Sequence, residues 1–363
     1  MSSLPQPLTF VYDLTHDLEL DVYLPDSIPG NSGIHAPAVI WFHGGGLING
    51  GKADINPYLL GDVLDQSLPY RRLMTRTATS EKLLPQGLIV ISPNYRLLIP
   101  LPSGQEIISD VHALFDYLSC PGTDMHRALA EHDMTLDTSR LAVYSISSGA
   151  YPARAAATLD TIVTPPKALV MVSGMGGDFL LDHWIQPKSG SEQLSVPADI
   201  LNQVHQILEG GRRGDRVFSD LPMFGHRKPE TAVRVGIFKT LYNTGTILDH
   251  VLGIPGLSAD LRAFPYAQRL TTIPESHRHL LLPITERTCP TLLVHGTDDK
   301  QVPFVEAQKT WEDLGRMSVE ARNEWFDGGG HAVGDPERMG MARDQWNGRF
   351  DRVLTWLEEV LRR

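Results

Sequence analysis

Cysteine and long runs of one residue type are scarce in this 363-residue sequence. Its two cysteines, Cys120 and Cys289, form no metal-spaced cluster and no disulfide framework, so we expect core or near-core thiols and a reducing, cytoplasmic location. The net charge is −11 without a lysine or arginine run, which argues against nucleic-acid binding. No stretch reaches the roughly 18 apolar residues that span a membrane, and the N-terminus lacks a secretory signal's basic and apolar regions.

Short apolar runs alternate with segments of helical periodicity along most of the chain. Strands alternating with helices predict an α/β protein with a mostly parallel central sheet flanked by helices. The predicted strands lie within 8–24, which reads as a hairpin, and at 38–42, 88–91, 141–146, 168–172, 291–294 and 319–326. The predicted helices lie at 105–118, from 148 onward, at 305–314 and at 349–361.

The alternation stops between residues 174 and 288. This stretch has helical patterns at 200–208 and 232–241 but no clear buried strand, so we interpret it as a helical cap inserted between two late strands. The core would then consist of residues 1–173 and 289–363. Residues 47–86 have weak periodicity and are expected to form loop and short helix that contribute to the lid.

Ser147 is the first candidate catalytic residue. It follows the strand at 141–146 and precedes an alanine-rich segment, as expected of a strand–turn–helix that exposes a serine hydroxyl. The usual signature is Gly-x-Ser-x-Gly, but Ser145 replaces the first glycine here, and Gly149 supplies the second. Alone, a serine-rich turn is more often ordinary turn chemistry.

An acid and a base follow two later strands. Asp298 and Asp299 come after the strand at 291–294, and His331 follows three glycines after the strand at 319–326. Open α/β sheets place their sites at these strand ends, and the order Ser, Asp, His is that of α/β-hydrolases. A serine hydroxyl needs a base to accept its proton, and a carboxylate orients that base. Asp299 is the preferred acid, although either aspartate can shape the turn.

A glycine run supplies candidate donors for a tetrahedral oxyanion. Gly45 and Gly46 follow the strand at 38–42, and the backbone N–H of Ser148 adjoins the nucleophile. His43, directly before the run, is expected to support the loop through a buried hydrogen bond, and His295 is expected to be structural.

The chain resembles α/β-hydrolases, and more narrowly the hormone-sensitive-lipase-like branch of carboxylesterases. The motifs that carry the resemblance are His43-Gly44-Gly45-Gly46, Asn94-Tyr95-Arg96-Leu97, the serine turn, His295-Gly296-Thr297-x-Asp299-x-x-Val302-Pro303 and Gly329-Gly330-His331. The resemblance implies Ser147 as nucleophile, Asp299 as acid, His331 as base, and an oxyanion hole formed by Gly45, Gly46 and Ser148. Ser145 and Asn94 depart from that branch, which usually has glycine and aspartate there.

The expected activity is hydrolysis of a carboxylic ester through an acyl-serine intermediate, without a metal or cofactor. Aromatic residues in the expected cap suggest a medium-to-large hydrophobic small molecule as substrate: Phe179, Trp184, Phe224, Phe238, Tyr242, Phe264 and Tyr266. Thioester, lactone or amide hydrolysis and acyl transfer use the same machinery and stay open. The sequence does not determine the oligomeric state.

Parts of the sequence also fit two other classes of protein. Residues 46–52 fit the Gly-x4-Gly-Lys pattern of a phosphate-binding loop, but Ala53 occupies the position of the magnesium-binding Ser or Thr. An NTPase is therefore disfavoured. A non-catalytic binding protein on a hydrolase scaffold is the other alternative, and the presence of all three triad residues argues against it.

Overall fold

A computed structural model of the chain describes residues 5–26, 35–55, 57–60, 83–99, 102–210, 218–223, 230–335, 340–341 and 349–363. Its strands are β1 (Leu8–Asp13), β2 (Leu18–Tyr23), β3 (His35–Phe42), β4 (Ile89–Pro93), β5 (Thr135–Ile146), β6 (Ala168–Val172), β7 (Thr291–Gly296), β8 (Ala321–Phe326), β9 (Gly334–Asp335) and β10 (Gly340–Met341). Its helices are α1 (Pro57–Leu60), α2 (Gly104–Ser119), α3 (Asp124–Glu131), α4 (Ala150–Thr158), α5 (Asp182–Ile185), α6 (Ala198–Gly210), α7 (Glu230–Thr244), α8 (Ile247–Leu252), α9 (Leu257–Arg262), α10 (Tyr266–Thr272), α11 (Glu275–Arg278), α12 (Phe304–Arg316) and α13 (Arg349–Arg362).

Eight strands form one sheet in the order β1-β2-β4-β3-β5-β6-β7-β8. The β1–β2 hairpin and the β2–β4 pair are antiparallel, and every other pair of neighbouring strands in this sheet, from β4–β3 to β7–β8, is parallel. The carboxyl ends of β5, β6, β7 and β8 therefore meet at one edge, where side chains far apart in sequence come together. The predicted α/β fold with a mostly parallel sheet is confirmed.

Both faces of the sheet are buried because the central strands are apolar throughout. On one face, Ile40 and Phe42 of β3 pack in a cluster that includes residues of α2, α4 and α7. On the other face, Trp41 and Tyr144 stack with ring centroids 5.2 Å apart, beneath apolar side chains of α13. Parallel sheets are covered in this way because their crossover helices lie on both sides.

The strand β5 is longer than the sequence predicted. It begins at Thr135, and residues 135–136 pair with residues 35–36 of β3 before the buried run at 141–146. Residues 137–140 are polar, so hydrophobic patterning alone does not mark this half as strand. The short helix α3 also escaped prediction, and β8 begins at Ala321 instead of residue 319.

Between β6 and β7 the described residues form seven helices, α5 to α11, and a single β-bridge from Leu221 to Gly50. Apolar side chains of this inserted segment, including Trp184 and Ile237, belong to the same buried cluster as β3. The division into core and cap stays a prediction. Residues 61–82, most of the second stretch expected to contribute to the lid, lie outside the described residues.

No helix in the described ranges combines the length and the apolar character needed to cross a bilayer. Cys289 is buried, as expected, but Cys120 is exposed at the end of α2. The interpretation of Cys120 as a core thiol is therefore wrong. The apolar face of α2 ends at Leu118, and Cys120 lies beyond it.

Candidate active site

Ser147 lies at a sharp turn between β5 and α4, and its side chain is partly exposed. Its φ is +54°, a left-handed conformation that costs energy for a residue with a Cβ atom. Residues 147–149 form one turn of 3-10 helix that leads into α4. This strained strand–turn–helix is the local geometry that the sequence predicted.

Ser145 and Gly149, which lie two residues before and two residues after the nucleophile, are both buried. A Cβ atom at Gly149 would clash with the Phe42 carbonyl oxygen, so a glycine is required for α4 to approach β3. Ser145 replaces the other expected glycine, and its Oγ donates a hydrogen bond of 3.1 Å to the Val170 carbonyl of β6. The hydroxyl is thus satisfied inside the sheet, which explains how serine fits at this position.

His331 follows β8 and lies against Ser147. Its Nε2 is 3.0 Å from Ser147 Oγ, although 184 residues separate the two in sequence. The next residue, Ala332, has a φ of +55°, and its amide donates a 3.0 Å hydrogen bond to Oγ of the fully buried Ser173. Ser173 therefore fixes the backbone next to His331. No sequence motif marked Ser173.

Asp299 is the carboxylate that contacts His331. Its Oδ2 is 2.9 Å from His331 Nδ1, and its Oδ1 accepts hydrogen bonds from the amides of Gln301 and Val302. Burial alone would raise the pKa of Asp299, but the hydrogen bonds from His295 and His331 outweigh it and hold that pKa well below its usual range. Asp298 is exposed, and the structure does not bring it to His331.

The ionised state of Asp299 determines which nitrogen of His331 carries the proton. A carboxylate only accepts hydrogen bonds, so His331 Nδ1 must donate to it. In the neutral ring, Nε2 is then unprotonated and accepts the hydrogen bond from Ser147 Oγ. This is the tautomer that a general base requires.

His295, expected from the sequence to be structural, contacts the acid of the site directly. Its Nε2 donates to the Val302 carbonyl at 2.9 Å and lies 3.3 Å from Asp299 Oδ2. Asp299 is therefore held by two histidines and two backbone amides. The spacing of four residues between His295 and Asp299 was visible in the sequence, but only the turn after β7 brings the two side chains together.

The glycine run after β3 lies beside the nucleophile. A Cβ atom at Gly44 would be 3.2 Å from Ser147 Cβ, which measures how closely the two turns approach. Gly45 and Gly46 have φ values of +117° and +68°, a region that favours glycine. Within the described ranges, no residue accepts a hydrogen bond from the amide of either glycine. Ser148, the third expected donor, is buried directly after Ser147.

His43 supports this loop, as the sequence predicted. Its Nδ1 donates to the Gly44 carbonyl at 2.8 Å, its ring stacks on Tyr95, and Tyr95 Oη donates to the His43 carbonyl. Burial lowers the pKa of His43 to about 4, so the ring is neutral at physiological pH. Asn94 Oδ1 accepts a hydrogen bond from the amide of Lys52, which joins the β4 loop to the end of the glycine loop.

The phosphate-loop pattern does not have the geometry that nucleotide binding needs. Lys52 Nζ pairs with Asp21 at 2.7 Å, and residues Lys52–Asp54 form a single 3-10 turn where a long helix should begin. Among the described residues, no three His, Cys, Asp or Glu side chains are grouped in a way that could hold a metal ion.

The aromatic residues of the inserted segment have different environments. Phe179 and Trp184 are buried in the core, and Phe264 and Tyr266 are exposed. Phe224 lies outside the described residues. Phe238 and Tyr242 stack with centroids 6.4 Å apart, and Phe238 also contacts Gly46. Phe238 therefore reaches the glycine loop, and Tyr242 lies behind it.

Comparisons with known proteins agree with this architecture. The model of the prolyl oligopeptidase family matches residues 266–363. An α/β hydrolase superfamily protein from Enterococcus faecalis has a similar structure, with a TM-score of 0.58 and 16% identity over 97% of this chain and 98% of that one. A sugar hydrolase from Lactococcus lactis has a TM-score of 0.50 and 16% identity over 98% and 97% of the two chains.

A non-reducing polyketide synthase from Preussia isomera is 21% identical over 95% of this chain. The chain spans only 13% of the length of that synthase. At these levels of identity the structural similarities bear on the fold alone. Together with the strand order and the mostly parallel pairing, they establish that the chain has the α/β-hydrolase fold.

Proposed function

We propose that the protein is a serine hydrolase that cleaves a carboxylic ester through an acyl-serine intermediate. The observation that carries this proposal is the placement of His331 between Ser147 and Asp299, at 3.0 and 2.9 Å. These distances are those of a nucleophile bonded to its base and a base bonded to its orienting acid. The proposed substrate is a carboxylic ester of a medium-to-large hydrophobic small molecule.

Each residue has a defined part in the proposed reaction. Ser147 Oγ attacks the ester carbonyl carbon while His331 Nε2 accepts its proton. The negative charge that develops on the carbonyl oxygen is stabilised by the backbone amides of Gly45, Gly46 and Ser148. The imidazolium then protonates the leaving alcohol, and water activated by the same histidine releases the acid.

The finer assignments are also proposals. The glycine loop motif is that of the hormone-sensitive-lipase-like branch, and the helices of residues 174–288 would act as the cap over the acyl or alcohol pocket. The low cysteine content supports a cytoplasmic location.

Thioester cleavage is the second candidate. The same triad attacks thioesters, and the chain is similar along most of its length to a segment of a polyketide synthase. A panel of matched aryl esters, thioesters and amides, measured on the wild type, ranks these substrates. A thioester preference in kcat/KM would replace the ester assignment without changing the triad.

Substitution of the nucleophile tests the proposal directly. We expect Ser147→Ala to lower kcat for an activated aryl ester by about 10⁴-fold or more, because triad members act as a unit. His331→Ala should have a similar effect, whereas His205→Ala, which changes an exposed histidine on α6, should leave kcat unchanged. A fluorophosphonate should label the wild type at Ser147. Folded protein that is neither labelled nor active towards any substrate in the panel would refute the proposal.

A further inference from the structure

Helix α7 of the inserted segment carries a buried arginine that points at the glycine loop. Arg234 is 3% exposed, and its guanidinium donates to three main-chain carbonyls. Nε bonds Ile48 at 2.9 Å, Nη1 bonds Ile99 at 2.6 Å and Nη2 bonds Leu98 at 2.6 Å. One side chain thus joins α7 to two separate loops of the core.

The environment of Arg234 is unusual for a buried cation. No carboxylate in the described ranges pairs with it, and its charge is met by the three carbonyl dipoles and the ring of Phe218, 5.2 Å away. Burial lowers the pKa of Arg234 to about 10, so it stays charged at neutral pH. Burying a cation costs free energy. All three hydrogen bonds of this guanidinium go to main-chain carbonyls, so they fix the course of the backbone at residues 48, 98 and 99.

The backbone that Arg234 holds is strained. Leu47 and Ile99 have φ values of +63° and +66°, and the Leu98 amide donates to the Leu47 carbonyl at 2.7 Å. Non-glycine residues keep such conformations only where their surroundings enforce them. Arg234 bonds the carbonyl that follows Leu47 and the carbonyl of Ile99 itself. It is therefore part of what enforces both conformations.

The carbonyl of Ile48 belongs to the same turn as the proposed oxyanion donors. The amides of Ile48 and Asn49 both donate to the Gly45 carbonyl, which closes the turn over residues 45–49. Displacement of the Ile48 carbonyl would therefore move Gly45 and Gly46. Oxyanion donors have to lie within a few tenths of an ångström of their productive position to contribute fully.

A second contact comes from the same face of α7, one turn later. A Cβ atom at Gly46 would clash with the ring of Phe238, so that ring lies directly on the glycine. Residues four apart on a helix share a face, which lets Arg234 and Phe238 contact the loop together. The loop is thus bonded at Ile48 and covered at Gly46 by one helix.

We propose that Arg234 is a positioning residue for the oxyanion loop, so that the inserted segment takes part in stabilising the transition state. The inference rests on the proposed function because it assigns Gly45 and Gly46 as oxyanion donors. It extends that function by placing part of the catalytic support in α7.

The test compares Arg234 with a matched arginine of the same segment. Arg269 is also buried, at 5%, and bonds the Leu180 and Phe264 carbonyls and Asp182, all within residues 174–288. Arg234→Met removes the bonds to the loop, and Arg269→Met removes comparable bonds elsewhere. Arg234→Lys keeps the charge and one donor group, and is the variant to measure if Arg234→Met does not fold.

The readout is specific for the oxyanion hole. Kinetics are measured on an aryl ester and on the matched thionoester, whose larger sulfur fits oxygen-sized donors poorly. We expect Arg234→Met to lower kcat for the ester by about 10- to 100-fold with KM within about threefold, and to lower the ester-to-thionoester ratio. Arg234→Lys should lie between this variant and the wild type, and Arg269→Met should keep the wild-type ratio.

The inference would be overturned if folded Arg234→Met or Arg234→Lys kept the wild-type ester-to-thionoester ratio. It would also be overturned if Arg269→Met lowered that ratio as much as Arg234→Met does. Failure of the proposed function gives a different result. In that case the wild type itself would not be labelled by fluorophosphonate at Ser147 and would not turn over the ester.

Discussion

At the residue scale, the proposed triad depends on buried neighbours that do not touch a substrate. Ser173 accepts a hydrogen bond from the amide of Ala332, next to His331, and His295 lies against Asp299. Ala332 and Ser173 both have positive φ values, so the backbone on each side of this bond is strained. The hydrogen bond between them holds the backbone next to His331, and Asp299 contacts the ring itself.

We expect Ser173→Ala to lower kcat by about tenfold, because the Ala332 amide loses its acceptor and His331 is less well held. Steady-state kinetics on an aryl ester measure this effect. Ser258→Ala is the matched control, since Ser258 is equally buried and its Oγ bonds no described residue. Equal kcat values for the two variants would show that Ser173 does not position the base.

The sequence pattern pointed to the proposed catalytic residues, which follow strands, but not to the residues that hold those catalytic residues in place. Ser147, Asp299 and His331 could be proposed because each stands after a predicted strand and next to glycines or turn residues. Ser173 and Arg234 bond to main-chain groups of distant loops, and such partners leave no pattern in the sequence. Their roles follow only from the tertiary structure.

At the element scale, elements with one clear hydrophobic period were predicted well. The helix α2 was expected at 105–118 and spans Gly104–Ser119, and β6 matches its predicted bounds. The polar half of β5 was not predictable, because its strand conformation comes from pairing with β3. The hydrophobic pattern of a segment predicts its secondary structure only where the apolar residues of that segment are the ones that become buried.

The first turn of α12 carries a buried carboxylate that joins three elements. Glu306 Oε2 accepts hydrogen bonds from the amides of Gly176 and Gly177 after β6. Its Oε1 accepts a hydrogen bond from Nε1 of Trp184 in α5. Its side chain is fully buried, and burial raises the pKa of Glu306 to about 7. The ends of β6 and α5 are thus tied to α12 through a group that titrates near neutral pH.

This pKa predicts how stability changes with pH. The pKa of a glutamate in the unfolded chain is about 4.5, so between that pH and about 7 the folded protein binds one more proton at Glu306 than the unfolded chain does. Glu306 then contributes fully to the free energy of unfolding below the lower pH. The contribution falls by roughly 3 kcal/mol as the pH rises through the folded pKa.

Urea unfolding at about pH 5 and about pH 8 measures the effect. We expect the stability advantage of the wild type over Glu306→Gln to be larger at the lower pH. Glu312→Gln, which changes an exposed residue of the same helix, should show no such dependence. A difference between wild type and Glu306→Gln that is the same at both pH values would contradict this prediction.

At the scale of the whole molecule, the inserted segment and the sheet share one hydrophobic core. Ile237 of α7 and Trp184 of α5 lie in the same cluster as Ile40 and Phe42 of β3. From the loss and return of the strand pattern, the sequence places the ends of the segment at residues 174 and 288, which stays a prediction. It could not predict that the segment packs on the glycine loop, because that contact joins residues nearly two hundred positions apart.

A shared core predicts that the chain unfolds as one cooperative unit. Ile237→Ala, in the inserted segment, and Leu354→Ala, in α13 on the opposite face of the sheet, should each lower the free energy of unfolding by about 2–5 kcal/mol. Thermal unfolding of both variants should give a single transition that coincides by circular dichroism, tryptophan fluorescence and residual activity. An independent cap would instead give two transitions, with Ile237→Ala shifting only the one that belongs to residues 174–288. That outcome would show that the segment is a separate domain, and Arg234 would then act across a domain boundary.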